Sequence, residues 1–319
     1  MALSMLLDVG VLSAQTVNQS PKHESARSDK FTGGRIEKAA LEAGQPDIKI
    51  TVNIPAFRLT LWQNNKEVKT YQIGVGQKEF PLVVGDRQAT SVIWNPAWIP
   101  PDSDWVAEHK GVNPGDVIKA SDPRNPLGKM KIPLGGGYLI HQAAKQTDLG
   151  NLVSHGCVRM LRTDLYDLAE KIVAARELPV SEKQIEAAKR TFKMLDAKLD
   201  PTLPVEIDYD TQVIEAGVLH VYPDVYGRGT NTTENLRAEL DSSGVDSSGI
   251  DNETLEKMLA RPNAKEQFVV SVKSIEAGRA LADGRLQPLV GQATKKPAKP
   301  AAKRRTATAT DSARTRRPA

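Results

Sequence analysis

The residues best equipped for chemistry stand close together in the chain. Cys157 is the only cysteine, and it sits in the run Ser154-His155-Gly156-Cys157-Val158-Arg159-Met160, sixteen residues after His141. A thiol becomes a strong nucleophile when a nearby base or cation holds it as thiolate. Histidine is the usual partner, and such a pair is recognised by placement in space. Two histidines qualify: His141, which ends the apolar run Tyr138-Leu139-Ile140, and His155, two residues before the thiol. Gly156 allows close backbone approach and angles barred to other residues. The N–H groups of Gly156 and Cys157 could stabilise an oxyanion during acyl transfer. Arg159 could bind a substrate carboxylate through two parallel hydrogen bonds. The same side chains permit a different use. His141, His155 and Cys157 are zinc-type ligands, with Asp148 as a weak fourth. The blandest reading makes Cys157 a small buried apolar residue.

The elements that must position these groups are mostly strands. Ile48, Ile50, Val52 and Ile54 alternate with polar residues, and Phe57, Leu59 and Leu61 repeat the period of two. A turn at Asn64-Asn65 leads into a third run, Val68 to Val75, giving a succession of hairpins. Residues 80–101, rich in Pro, Gly and Trp, predict extended segments and irregular loops, and a further loop covers 102–126. The Gly135-Gly136-Gly137 turn precedes a short buried strand ending at His141. Leu165, Leu168, Ala169 and Ile172 recur at helical spacing behind a cap at Thr163 or Asp164. Ser181 with Gln184 forms a capping box that opens a second helix, expected to reach about Lys198. Residues 204–214 and 218–222 predict a hairpin across Glu215-Ala216-Gly217. Two short helices fall within 230–262, and 268–272 is the last expected strand.

Composition bounds the rest. The 319 residues are 39% hydrophobic and 26% charged, with a net charge of +4, values of a folded globular chain. The charge is uneven. Residues 293–319 hold nine Lys or Arg and one Asp, a net +8, which leaves −4 on residues 1–292. That low-complexity basic tail lacks the apolar content for a core. It is read as a solvated segment, with contact to anionic envelope polymers as the alternative; having no interleaved aromatics, it is not expected to bind nucleic acid. No run approaches the length of a membrane-spanning helix. The apolar start of residues 1–15, interrupted by Asp8 and lacking a basic leader, predicts a shortened or wrongly started export signal. The expected division is an export-signal remnant and lead-in over 1–45, with a short helix near Arg35–Ala43, then a catalytic domain over 46–178. A helical and β-hairpin extension over 179–292 and a disordered tail over 293–319 follow. Trp94, Trp98 and Trp105 are expected to close a small β-core, with a ligand groove as the alternative. His23, His109 and His220 are read as surface or incidental.

The Ser154–Met160 run, with Ile140-His141 before it, resembles the signature of the L,D-transpeptidase family (the YkuD domain). The resemblance spans about residues 48–173. It includes Val52-Asn53-Ile54-Pro55 with Phe57-Arg58-Leu59, Gly74-Val75-Gly76, Phe80-Pro81, Trp98-Ile99-Pro100-Pro101 and Asn125-Pro126-Leu127-Gly128. The Tyr222-Pro223-Asp224 segment is similar to a C-terminal extension of some members. The resemblance implies a mainly β fold with a few helices: an L,D-transpeptidase-type β-sandwich catalytic domain with a C-terminal extension. It implies Cys157 as nucleophile, His141 as general base, and the Gln142 carbonyl as the group that orients the imidazole. Ser154, His155 and Gly156 match positions that shape the site, and Arg159 and Gln142 fall at substrate-binding positions. One departure is plain: family members read His-Gly-Thr where this chain has His141-Gln142-Ala143. Gln142 is therefore expected to add bulk and alter substrate choice. The implied partners are peptidoglycan stem peptides, with a second stem or a lipoprotein as acceptor, in the periplasm or cell envelope. No cofactor or metal is implied. The alternatives are an L,D-carboxypeptidase, a catalytically silent peptidoglycan-binding module, and the zinc-dependent hydrolase above.

Overall fold

The computed structural model describes residues 48–289. The expectations for 1–45 and 293–319, His23 and the helix at Arg35–Ala43 included, lie outside the described residues. The chain is mainly β with a few short helices. The first strand, β1 (Ile48–Asn53), buries alternate residues, Ile48, Ile50 and Val52, as a half-buried strand should. It pairs antiparallel with β2 (Arg58–Gln63), and β2 with β3 (Lys66–Gln72). Asn64 and Asn65 both take positive φ, 51° and 56°, the geometry of a tight hairpin turn. The short β4 (Val75–Gly76) and the long β5 (Gly85–Trp94) follow, then β6 (Met130–Pro133), β7 (Leu139–Gln142), β8 (Leu152–Ser154) and β9 (Val158–Met160).

The main sheet has eight strands in the order β3-β2-β1-β10-β5-β6-β7-β9. Its centre is β10 (Leu195–Asp208), parallel to β1 and antiparallel to β5. This moves the domain boundary expected at residue 178 to beyond Asp208, because the sheet is incomplete without β10. It also corrects the second helix, which starts at the Ser181 capping box but ends at Arg190 (α2, Glu182–Arg190). Beyond it Ala197, Leu199, Leu203, Val205 and Ile207 are buried between exposed polar residues, the signature of a strand. The first helix, α1 (Arg162–Ala175), has Leu161 at its N-cap without a side-chain bond, so Thr163 and Asp164 lie inside its first turn. There the Asp164 carboxylate faces the positive end of the helix dipole.

Residues 209–289 form a second unit with its own core around Leu219, Leu236, Leu255 and Phe268. The strands β11 (Gln212–Glu215) and β12 (Val218–Val221) make the expected hairpin across Ala216 and Gly217. The sheet continues through β13 (Glu266–Ser271) to β14 (Arg285–Pro288), one strand past the last one expected. The helices α3 (Thr233–Ser242) and α4 (Asn252–Leu259) are the two predicted within 230–262. This unit is tied to the main sheet by Arg58 on Glu215 and by Asn53 Nδ2 donating to the Asp210 carbonyl at 3.0 Å.

Candidate active site

Alternation along three strands decides which side chains reach the site. Met130 and Ile132 on β6, Ile140 on β7, and Val158 and Met160 on β9 all join the main core. Their neighbours must face the other way. In register, Lys131 lies opposite His141 and His141 opposite Arg159. These three residues line one cavity of about 1120 Å³, together with Cys157, which immediately precedes β9. The structure thus brings His141, Ser154, His155, Cys157 and Arg159 together.

The approach to Cys157 is a tight turn. The buried Ser154 Oγ donates to the Cys157 carbonyl at 2.6 Å. Gly156 has φ +101°, and a Cβ there would stand 3.0 Å from Tyr138 Cε1. Gly76 packs directly behind it: its Cβ would meet Phe80 O at 2.2 Å and Gly156 Cα at 2.9 Å. A side chain at Gly76 would displace backbone beside the thiol, and one at Gly156 would press on the Tyr138 ring from a strained φ.

His141 is 4% exposed, and its Nδ1 is buried without a hydrogen-bond partner. Burial pushes its pKa down to about 3; the Arg159 charge adds to this, while the Gln142 main chain and Asp148 oppose it. Burial pushes the Cys157 thiol up, against the Leu139 main-chain N–H and the Arg159 charge, which pull it down. Both directions favour a neutral imidazole beside a neutral thiol over an ion pair. Arg159 Nη1 lies 3.4 Å from Asp148 Oδ2, and that oxygen also accepts from the Ala144 N–H at 2.9 Å. Asp148 is therefore committed to holding Arg159 and the loop. Among the described residues no group of three or more His, Cys, Asp or Glu side chains is gathered as a metal site.

Three expectations are corrected. Gln142 does not line the cavity. Its Oε1 accepts from the Lys129 N–H at 2.9 Å, and its side chain lies over Gly128, where a Cβ would come within 2.7 Å of it. The bulk expected to alter substrate choice points away from the site. His109 is not incidental, because its ring meets Trp98 and Trp105 edge-on at 5.3 and 5.8 Å. Trp105 stacks flat on His155 at 4.3 Å, and Phe80 meets His155 edge-on at 4.8 Å. His155 thus belongs to an aromatic wall of the cavity. Trp94 is fully buried in the main core, and Trp98, 5% exposed, belongs to a small core with Val106, Ile118 and Leu127 against which Trp105 packs, as expected; Trp98 and Trp105 also line the cavity. His220 is likewise engaged, 2.8 Å from Gln267 Oε1.

A support that sequence reasoning missed comes from the second unit. Tyr226 Oη donates to the Gly76 carbonyl at 3.0 Å and accepts from the Leu82 N–H at 3.1 Å. It thereby clamps both ends of the loop that carries Phe80. Tyr226 itself stacks on Tyr209 at 5.6 Å, whose Oη donates to Asp224 at 2.5 Å. Removing the hydroxyl leaves two backbone groups unpaired. Tyr226→Phe is expected to lose about 1–3 kcal/mol of stability, seen as a lower thermal midpoint, and to slow covalent labelling of Cys157 by a β-lactam.

The fold is a β-rich domain that sets a lone thiol and a buried imidazole on one cleft. The comparisons make this particular. The family model of the L,D-transpeptidase catalytic domain matches residues 47–207, about half of the chain. The chain belongs to that family. It is 27% identical over 178 residues to the probable L,D-transpeptidase YcfS of Escherichia coli, covering 52% of this chain and 53% of that protein. It is 26% identical over 145 residues to the probable L,D-transpeptidase YbiS of the same organism, covering 43% of this chain and 46% of that protein. The chain therefore spans about half the length of the curated relatives it matches. Among solved structures, the catalytic domain of the E. faecium L,D-transpeptidase aligns with a TM-score of 0.32 at 15% identity, covering 51% of this chain and 97% of that one.

Proposed function

We propose that this protein is a cysteine-dependent L,D-transpeptidase of the cell envelope. The observation that carries the reading is the cavity shared by Cys157 and the buried imidazole of His141. A peptidoglycan tetrapeptide stem is the acyl donor. Cys157 Sγ attacks the carbonyl that joins the third stem residue, at its L centre, to the terminal D-alanine. His141 takes the thiol proton as the C–S bond forms. The N–H groups of Gly156 and Cys157 are the donors available to the developing oxyanion. The C–N bond then breaks, the imidazolium returns the proton to the amine, and D-alanine leaves. An acceptor amine, from a second stem or a lipoprotein, attacks the thioester, and its proton returns through His141 to Sγ. The Gln142 side chain turns from the cavity and leaves the cleft beside Cys157 clear of its bulk.

The test is incubation with a synthetic tetrapeptide stem and an excess of acceptor amine, reading free D-alanine and products by mass. The expected result is one D-alanine released per amide formed. Tripeptide alone, with no amide, would mean that water is the acceptor and the enzyme is an L,D-carboxypeptidase. No release from a folded, reduced enzyme would overturn the reading.

A further inference from the structure

The segment that joins α2 to β10, Thr191-Phe192-Lys193-Met194, leaves two large apolar side chains in water. Phe192 is 56% exposed and Met194 61%, and none of the four residues lines the cavity of Cys157. One exposed apolar side chain is ordinary on a protein surface. Here two stand within three residues, on a backbone that is fastened in place. Buried Asn95 donates through Nδ2 to the Ala188 carbonyl at 2.8 Å and to the Lys193 carbonyl at 2.9 Å. Thr191 Oγ1 donates to the Ala187 carbonyl at 2.9 Å and closes the end of α2. Lys129 Nζ donates to the Thr191 carbonyl at 2.6 Å and to Asn95 Oδ1 at 3.2 Å. The same ammonium stands 3.8 Å from the centre of the Phe192 ring and props it outward. Cations surround this tip. Lys189, Arg190, Lys193 and Lys198 outnumber the one acid of residues 189–198, Asp196. Three of the four are paired: Lys189 with Glu170 and Glu186, Arg190 with Glu186, and Lys198 with Asp196. Lys193 makes no side-chain hydrogen bond or ion pair among the described residues, and Lys129 binds uncharged oxygens. The two cations without a carboxylate therefore adjoin Phe192, one in sequence and one in space.

We propose that this tip docks the protein on an anionic phospholipid bilayer, with Phe192 and Met194 entering the headgroup boundary while Lys193, with Lys129 behind it, attracts lipid phosphates. Apolar side chains flanked by free ammonium groups are the pattern of an interfacial anchor, and each lysine near an anionic surface adds to the attraction. Size argues against a protein partner. A stable protein interface covers about 800 Å² on each side and is depleted in lysine, and two side chains on one tip supply far less. A bilayer asks for no matching surface, so a small, rigid, projecting tip suffices. Because the tip lies outside the cavity, docking leaves Cys157 accessible. The proposal does not depend on the transpeptidase reading.

Co-sedimentation of the full chain with vesicles tests this, comparing phosphatidylethanolamine–phosphatidylglycerol vesicles with phosphatidylcholine vesicles. The ionic strength is about 0.15 M, where exposed charges are screened beyond about 8 Å. The wild type is expected to bind the anionic vesicles and to stay largely in solution with the neutral ones. Phe192→Ser combined with Met194→Ser keeps every charge of the chain, those of residues 293–319 included. It is expected to weaken partition onto the anionic vesicles by about tenfold or more, the effect of withdrawing two apolar side chains from lipid. Lys193→Glu is expected to weaken that partition by a similar factor and to leave the neutral vesicles unaffected. An unchanged thermal midpoint and unchanged iodoacetamide alkylation of Cys157 verify that both variants are folded. Unchanged partition of the double variant would overturn the proposal and assign vesicle binding to charges elsewhere in the chain. Equal binding of the wild type to both kinds of vesicle, or to neither, would overturn it as well. If the wild type ignores vesicles but sediments as a dimer that the double variant abolishes, the tip is a contact between two copies and the proposal falls.

Discussion

Cys157→Ala is expected to abolish covalent capture of a carbapenem and to reduce D-alanine release by on the order of 10⁴-fold or more, as loss of a nucleophile does elsewhere. The wild type should gain the mass of one intact carbapenem, because opening the four-membered ring adds the thiol without a leaving group. The variant should gain none. The comparison is clean for structural reasons. Cys157 is the only cysteine in the sequence, so a thiol titration reports this residue alone. The turn that presents it is held through its backbone, by Ser154 Oγ on the Cys157 carbonyl and by the conformation of Gly156. Truncating the side chain therefore leaves the turn in place, and an unchanged melting curve would verify that. An adduct on both proteins would place the reactive group elsewhere. No adduct on either, with the wild-type thiol reduced and titratable, would favour a module that binds peptidoglycan without turning it over.

Much of this site was legible because its parts are contiguous or periodic. The Ser154–Met160 run contains the turn, the thiol and the arginine in seven consecutive residues. The strand ending at His141 follows from four residues after a glycine turn. The side-chain alternation that selects the cavity face was also readable. Met130, Ile132, Ile140, Val158 and Met160 are apolar in phase, and Lys131, His141 and Arg159 are polar in the opposite phase. Applied to Gln142, the same rule would have turned its side chain away from the face of His141, where the structure has it. Residue size alone says nothing of that direction. Other features left no local trace. Lys49 meets Glu206 across 157 positions of sequence, and nothing near residue 200 announces that β10 fills the space between β1 and β5. The aromatic wall draws on Phe80, Trp98, Trp105, His109 and His155 from separate loops. Tyr226 lies 150 residues from the carbonyl it holds. Such contacts are set by the packing of the whole sheet, and no periodicity encodes them.

His141→Gln is expected to slow D-alanine release by about 10²–10⁴-fold, the usual contribution of a positioned general base, and the pH behaviour of the wild type should identify its role. Burial first and the Arg159 charge second hold the imidazole down to about 3. The free enzyme therefore keeps a neutral, proton-accepting His141 across the mildly acid range. Its kcat/KM should show no inflection near 6.5, the ordinary histidine value. The thiol is pushed upward by burial, so iodoacetamide alkylation should rise with pH to beyond the ordinary thiol range. A preformed thiolate–imidazolium pair would instead give fast alkylation at acid pH, and that result would overturn the neutral-pair reading. Substrate should alter the balance. A donor carboxylate on Arg159 offsets the cation that depresses His141, so the acid-limb pKa in kcat is expected to lie above that in kcat/KM. Stability carries the same signature with a definite sign. Between 6.5 and about 3 the unfolded chain takes up a proton that folded His141 refuses. The folded state therefore loses stability as pH falls through that window, by up to about 1.4 kcal/mol per pH unit. His141→Gln removes the titrating group, so its thermal midpoint should fall less than that of the wild type between pH 6.5 and 4. Equal falls would mean that the imidazole charges freely in the folded protein. In that case it could not be the dry, neutral base that this cavity is built around.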